Sequence, residues 1–290
     1  MHQIQAKSIL SAQNGINLCR GCVHGCIYCD SRSLCYQMDH PFEDVALKVN
    51  APQLLQQALS RRRSLCMIGT GYMSDPYMPM PESLALTRRC LEIIQQHGFG
   101  LAIQTKSHRI LRDLDLLQQI NGQSKCVVQM TLTTYDEDLC RILEPNVSTT
   151  RQRFEALKVL RDHDIPTVVW IAPILPYIND TDENLMGLLD YCVEAQVRGI
   201  VCFGMGLTLR SGNREYFYQK LDCHFPGLKT RYIRTYGDAY ELPSPNTAQL
   251  MALLRNVCRA HGILCDPSSV LSYLQTFPEP FEQLSLDQFK

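Results

Sequence analysis

Apolar positions along the chain alternate between two periods. Short β-leaning runs at 65–69, 100–105, 126–133, 167–172 and 199–203 are separated by stretches of helical period, the alternation expected of repeated βα units. Residues 82–97 carry Leu84, Leu86, Leu91, Ile93 and Ile94 on one broad stripe that stops at His97-Gly98, a helix-then-strand pattern. Residues 108–120 and 149–162 repeat that period, the second opening on the capping candidates Ser148, Thr149 and Thr150. Another helix starts near Pro52, with Arg61 to Arg63 as its charged last turn. Pro145, Pro166, Pro173, Pro176, Pro243 and Pro245 all fall at segment boundaries. With a poorly defined first strand in residues 7–17, about six βα units precede residue 205. Six units predict an α/β fold built as an open, partial (βα)6 barrel rather than a closed eightfold one. From about Gly206 the character changes to short Tyr-rich segments (213–225 and 228–236) and a last helix at 245–261. Residues 1–205 are thus expected to form the barrel core, and 206–290 a helical extension packed on it.

Composition narrows the class. Of 290 residues 45% are hydrophobic, enough for a sizeable core and incompatible with intrinsic disorder. Twenty-eight Lys and Arg against 29 Asp and Glu leave a net charge of −1. That balance excludes a protein held on nucleic acid by bulk charge, though a local basic patch is allowed. The longest apolar runs, such as 167–175 with Pro173 inside it, are far short of the roughly 18 residues of a membrane span. Residues 1–10 do not read as a signal peptide, so the expected location is the cytoplasm, where thiols stay reduced. Fourteen cysteines in such a chain point to metal or redox chemistry before disulfides.

The densest chemistry is Cys19-Arg-Gly-Cys22-Val-His-Gly-Cys26-Ile-Tyr-Cys29-Asp30. The spacing Cys22-x3-Cys26-x2-Cys29 lets one loop ligate three irons of a four-iron four-sulfur cluster and leaves the fourth iron open. Two other readings use the same thiols. Cys19-x2-Cys22 with Cys26-x2-Cys29 suggests a four-cysteine zinc site, strained because only three residues separate the pairs. All four could instead hold a closed electron-transfer cluster.

This loop, with the aromatic Tyr28 directly before its last cysteine, resembles that of the radical S-adenosylmethionine (SAM) superfamily. Arg20 to Cys29, Ser74-Asp75-Pro76-Tyr77, Thr105-Lys106-Ser107, Ile142-Leu-Glu-Pro145 and Trp170 to Pro176 together resemble the family of spore photoproduct lyase, over residues 14–205. The resemblance implies a partial six-unit barrel whose open iron chelates SAM, and reductive cleavage of SAM to a 5′-deoxyadenosyl radical. It implies Cys22, Cys26 and Cys29 as cluster ligands and Tyr28 near the adenine. By the same likeness Ser74 and Lys106 meet the SAM carboxylate and the backbone of Gly69 and Gly71 its amino group. Thr131 and Thr133 fall near the ribose, and Ala172 beside the adenine. An electron donor such as flavodoxin or ferredoxin is implied as partner.

The departures bear on the substrate. Where the lyase family has a cysteine hydrogen donor, two residues before the matching serine, this chain has Tyr72, and Asp30 replaces the tyrosine after the last cluster cysteine. Repair of spore photoproduct is therefore not expected. Tyr72, Asp75 and Tyr77, with Glu82 behind them, are the candidates to face a substrate, although Asp75-Pro76 is also an ordinary turn start. His24 is read as shaping the cluster loop, and Cys35 as an idle or donating thiol. Cys66 reads as a packing thiol. Lys229, Arg231 and Arg234 among Tyr216, Tyr218, Tyr232 and Tyr236 could meet a nucleic acid. At near-neutral charge, buried tyrosines beneath a solvated face is the better reading. The functional expectation is hydrogen abstraction from a nucleic-acid lesion or nucleotide. The alternatives are modification of a peptide, cofactor or small metabolite, and a non-enzymatic zinc or iron–sulfur module.

Overall fold

A computed structural model describes residues 1–278. The chain opens with β1 (His2–Ile4), β2 (Gly15–Ile16) and β3 (Cys19–Arg20), then crosses the cysteine loop to β4 (Ala46–Lys48) and α1 (Ala51–Ser60). Strand and helix then alternate: β5 (Met67–Thr70), α2 (Pro81–Gln96), β6 (Gly100–Thr105), α3 (Leu114–Gln123) and β7 (Cys126–Thr131). They continue with α4 (Glu137–Leu143), α5 (Thr150–Asp162), β8 (Thr167–Trp170), α6 (Asp182–Glu194) and β9 (Gly199–Val201). The tail holds β10 (Gly206–Thr208), α7 (Asn213–His224), α8 (Leu228–Tyr236), β11 (Glu241–Pro243), α9 (Thr247–His261) and α10 (Pro267–Gln275).

Strands β2-β5-β6-β7-β8-β9 form one six-stranded sheet in that order, every pair parallel. This is the partial α/β barrel that the alternation of periods predicts. The first strand is shorter than expected because residues before it fold back. The Ser11 N–H donates to the Gly15 carbonyl at 2.9 Å, and Leu10 bridges Ile16 antiparallel. A small sheet, β1-β4-β3, and the antiparallel pair β10–β11, which brackets α7 and α8, lie outside the expected elements.

The strand register sorts the side chains into two layers. Ile68, Leu101, Ile103, Val128, Met130, Val169 and Ile200 share one face and merge with Leu91, Ile94, Phe154, Leu157 and Leu188 of the crossover helices into the main core. The opposite face, looking into the half-barrel, carries Gly69, Ala102, Val127, Gln129, Val168, Trp170 and Val201. Helix α10 closes that side: Val270 and Leu274 pack on Val127, Val168 and Val201. Residues 267–275 were not read as a helix from sequence, yet Asp266 caps this one, accepting from the Ser269 N–H at 2.9 Å. The tyrosines of the tail are mostly packing groups. Tyr232 is fully buried with Phe217 and Leu221 in a cluster that also holds Cys26, Ile27 and Tyr28.

The turn leaving β5 has one position that only glycine fits. Gly71 has φ +94°, and a Cβ there would lie 1.9 Å from the Gln104 carbonyl oxygen. Gly71→Ala is expected to destabilise the fold by about 2 kcal/mol or more, since left-handed strain adds to the clash. Urea denaturation of the two proteins checks this, and equal midpoints would refute the close approach. Among the described residues, no helix is long and apolar enough to cross a membrane.

Candidate functional site

The cysteine loop lies at the strand exits and is tied down by backbone on both sides. The Cys22 N–H donates to the Phe42 carbonyl at 3.0 Å, and Gly21 (φ +85°) lets the two segments touch, since a Cβ would sit 2.4 Å from that oxygen. On the other side the loop is strapped to the segment after α4. The Ile27 N–H donates to the Leu143 carbonyl at 3.0 Å, the Asn146 N–H to the His24 carbonyl at 3.1 Å, and Asn146 Nδ2 to the Val23 carbonyl at 2.9 Å. Held this way, Cys22 and Cys26 are buried and Cys29 half-buried, all as free thiols. Burial pushes the Cys22 thiol up to about 12 and raises that of Cys26 further. Such thiols become thiolates when a metal compensates the lost hydration.

Cys19, the fourth thiol, turns the other way into the main core, its sulfur 3.8 Å from Ser83 Oγ. Among the described residues no three His, Cys, Asp or Glu side chains close on a single ion. That geometry suits neither the four-cysteine zinc reading nor a closed cluster using Cys19. Three free thiols spread along one loop do fit a larger cluster that spaces its ligands apart.

Beside the loop sits a buried charge network. Lys106 Nζ, at the exit of β6, donates to the Tyr28 hydroxyl at 2.5 Å and to Glu144 Oε1 at 2.8 Å, and stands 4.0 Å from the Cys26 sulfur. The Tyr28 hydroxyl itself donates to Glu144. The other carboxylate oxygen accepts from Arg153, which also donates to the Thr131 carbonyl at 2.7 Å. Arg153 and Glu144 side chains are wholly buried. Burial alone would push the Glu144 carboxyl up, but the charges of Arg153 and Lys106 outweigh it and hold the group well below the usual carboxylate range. Neither Glu144 nor Arg153 was singled out as a site residue from sequence. Signals existed: Glu144 lies inside Ile142-Leu-Glu-Pro145, and Arg153 falls on the apolar stripe of α5 with Leu157 and Leu160.

The remaining expected site residues divide. Ser74 is buried and donates to the Cys19 carbonyl at 3.1 Å, tying the β5 exit to the loop. Gly69 lies within β5, its Cα side covered by the Tyr72 ring. Thr131 accepts from Gln104 Nε2 at 3.4 Å, whereas Thr133 is fully buried with its hydroxyl 3.3 Å from that of Thr134. Ala172 lines a mouth cavity of about 660 Å³ with Tyr28, Tyr72, Trp170 and Phe203. Phe203 is 65% exposed there and Tyr72 49%.

Two expectations are corrected. Asp75 does not face a substrate: it accepts from the Tyr77 and Lys106 N–H groups at 2.8 and 2.7 Å and from Thr105 Oγ1 at 2.7 Å. Those bonds make it a brace between two strand exits. Tyr77 is completely buried among apolar core residues, because its ring is the anchor of the turn that Asp75 closes. Glu82 is exposed in the first turn of α2, away from both. His24 is buried with Nδ1 3.6 Å from Asp75 and no partner at Nε2. Cys35 is exposed, 3.4 Å from an Arg210 nitrogen.

The chain is similar to several known proteins in sequence and in fold. An uncharacterized protein of Mycobacterium tuberculosis is 30% identical over 251 residues, covering 84% of this chain and 73% of its own. An uncharacterized protein of Methanocaldococcus jannaschii is 30% identical over 181 residues, covering 62% and 67%. In fold, the chain is similar to a spore photoproduct lyase mutant solved with bound AdoMet and dinucleoside spore photoproduct. The TM-score is 0.66 at 14% identity, over 91% of this chain and 80% of that one. The model of the Radical SAM superfamily matches residues 16–189, from β2 through the cysteine loop into α6. The chain belongs to the radical SAM superfamily.

Proposed function

We propose that this enzyme holds a four-iron four-sulfur cluster on Cys22, Cys26 and Cys29, binds SAM at the barrel mouth, and abstracts hydrogen from a substrate lying over that mouth. The observation that supports this best is the set of three free thiols on one strapped loop beside the Lys106 ammonium, with Cys19 turned away. When bound, cluster and SAM together supply reductive carbon–sulfur cleavage. The chain supplies position and exclusion of water. Lys106 offers a fixed positive charge for a carboxylate, with Tyr28 and Glu144 holding its orientation. Ser74 and the backbone of Gly69 and Gly71 are the proposed partners of the other polar groups of SAM, and Thr131 and Ala172 those of its ribose and adenine. Tyr72 is the residue on the substrate side.

A superfamily member needs a reductant. Flavodoxin or ferredoxin is the proposed donor, and the reducing cytoplasm is the proposed location, in keeping with fourteen free thiols. A nucleic-acid lesion or nucleotide is the proposed substrate. Its support is the fold likeness to photoproduct lyase and the exposed Phe203 and Tyr72 beside the half-buried Trp170 at the mouth, a platform on which a base can stack. The test is anaerobic reconstitution with iron and sulfide, followed by dithionite and SAM. Release of 5′-deoxyadenosine is the expected result. Protein that takes up zinc but no iron, and fails to bind SAM, would overturn the reading.

A further inference from the structure

Beneath the mouth, between the inner face of the sheet and α10, lies a second cavity of about 760 Å³. Gly69 and Ala102 leave its sheet wall low, Leu271 and Leu274 form its floor, and Tyr72 and Trp170 separate it from the mouth, lining both spaces. Among the described residues, no lining side chain is charged. A space of this size within a barrel is the ordinary setting for a small ligand.

Two unpaired polar atoms distinguish it from a packing void. Gln129 is fully buried, and its Oε1 accepts from Trp170 Nε1 at 2.9 Å. That bond fixes which way the amide faces and leaves Nε2, a double donor, with no partner. The Tyr72 hydroxyl lies close to the Gln129 side chain. Asn17, at the end of β2, lines the same cavity with its buried Oδ1 unpaired as well. A buried donor and a buried acceptor without partners each cost free energy unless something supplies the complement.

We propose that this lumen binds an uncharged planar ring carrying a carbonyl and a ring N–H, the lactam edge of a nucleobase, with Gln129 Nε2 donating to the carbonyl and Tyr72 and Trp170 bounding the ring. The inference rests on the enzyme reading above only in taking this ring as part of the substrate. Among the described residues no cation lines the lumen to offset the desolvation of an anion, so an anionic ring is expected to bind less well there. Any phosphate of a nucleotide or strand therefore stays in the mouth.

The test uses reconstituted holoprotein with SAM under anaerobic conditions and uracil as probe. Binding is read by equilibrium dialysis and by the fluorescence of Trp170, the sole tryptophan of the chain. Uracil is expected to bind, orotate, which adds a carboxylate to the same ring, at least tenfold more weakly, and Gln129→Leu to weaken uracil roughly tenfold. Ala102→Leu, which fills the space and leaves the Gln129–Trp170 pair intact, is expected to abolish binding, so the inference does not depend on how Gln129→Leu folds. Equal affinity of the wild type and both variants, equal affinity for orotate, or no uracil binding would overturn it. Displacement of uracil by uridylyl-uridine supports a base within a strand, and failure to displace supports a free base or nucleoside. Assaying 5′-deoxyadenosine in the same samples separates the two readings. Cleavage without uracil binding sinks only the lumen inference, and uracil binding without cleavage sinks only the enzyme reading.

Discussion

Cys26→Ala is expected to abolish iron–sulfur loading and 5′-deoxyadenosine release, with iron falling from about four per chain to near background. On the proposed reading three thiols hold the cluster, and neither nearby thiol replaces the lost one: Cys35 is exposed beside Arg210, and Cys19 belongs to β3. The Cys19 sulfur lies 3.8 Å from Ser83 Oγ of α2. Cys19→Ala is therefore expected to retain iron and cleavage, and a Cys19→Ala protein that loses iron would revive the four-thiol reading. The loss in Cys26→Ala is one of ligation, not folding. Removing a single sulfur from the cluster formed with Ile27 and Tyr28 leaves a small void, expected to cost the metal-free protein about 1 kcal/mol. Iron analysis, anaerobic absorbance and thermal melts of the metal-free pair separate the two effects.

Glu144→Gln is expected to destabilise the protein by about 3–5 kcal/mol, a large part of the stability of a domain. Glutamine keeps the volume and loses the charge, so Arg153 and Lys106 lose the carboxylate they share as counter-ion, and Arg153 is left as a wholly buried guanidinium. Arg153→Met in the same chain removes that demand, and the double variant is expected to recover part of the loss. The effect has a pH signature. In the folded protein the Glu144 carboxyl lies well below its ordinary value of 4.5, the charges of Arg153 and Lys106 overcoming burial. Its contribution is therefore fully present above that value and lost as the pH falls, so wild type and Glu144→Gln should converge in acid. Urea denaturation at neutral and acid pH checks both statements. A parallel offset at every pH would show that Glu144 acts through its shape alone.

Much of the barrel was legible because its strands and helices bury opposite kinds of pattern. Residues 100–105 read as a strand from a continuous apolar run, and β6 spans Gly100–Thr105 because both its faces are covered. The crossover helices declared themselves through single apolar stripes, and α5 through the Thr149 cap, whose hydroxyl accepts from the Gln152 N–H. The first strand and α10 were less legible. Two paired residues carry almost no period, and α10 buries little more than Val270 and Leu274. Asp75 and Tyr77 read as substrate-facing because a polar run at a strand exit is where barrels place chemistry. In the folded chain the Asp75 carboxylate is spent on bracing the turn, a use that depends on Thr105 and Lys106 thirty residues away, and the Tyr77 ring is buried in the core.

By itself the sequence determined the six βα units, the spacing of Cys22, Cys26 and Cys29, and the lysine at the exit of β6, because each is a local pattern. Only the tertiary structure decided that Cys19 turns away from its neighbours, that Glu144 joins Lys106 to Arg153, and that Gln129 points an unpaired amide into a neutral cavity closed by α10. Those outcomes depend on which face of a strand meets which distant helix. A period of two or of 3.6 specifies a face, while the partner that buries it is chosen by packing of the whole chain.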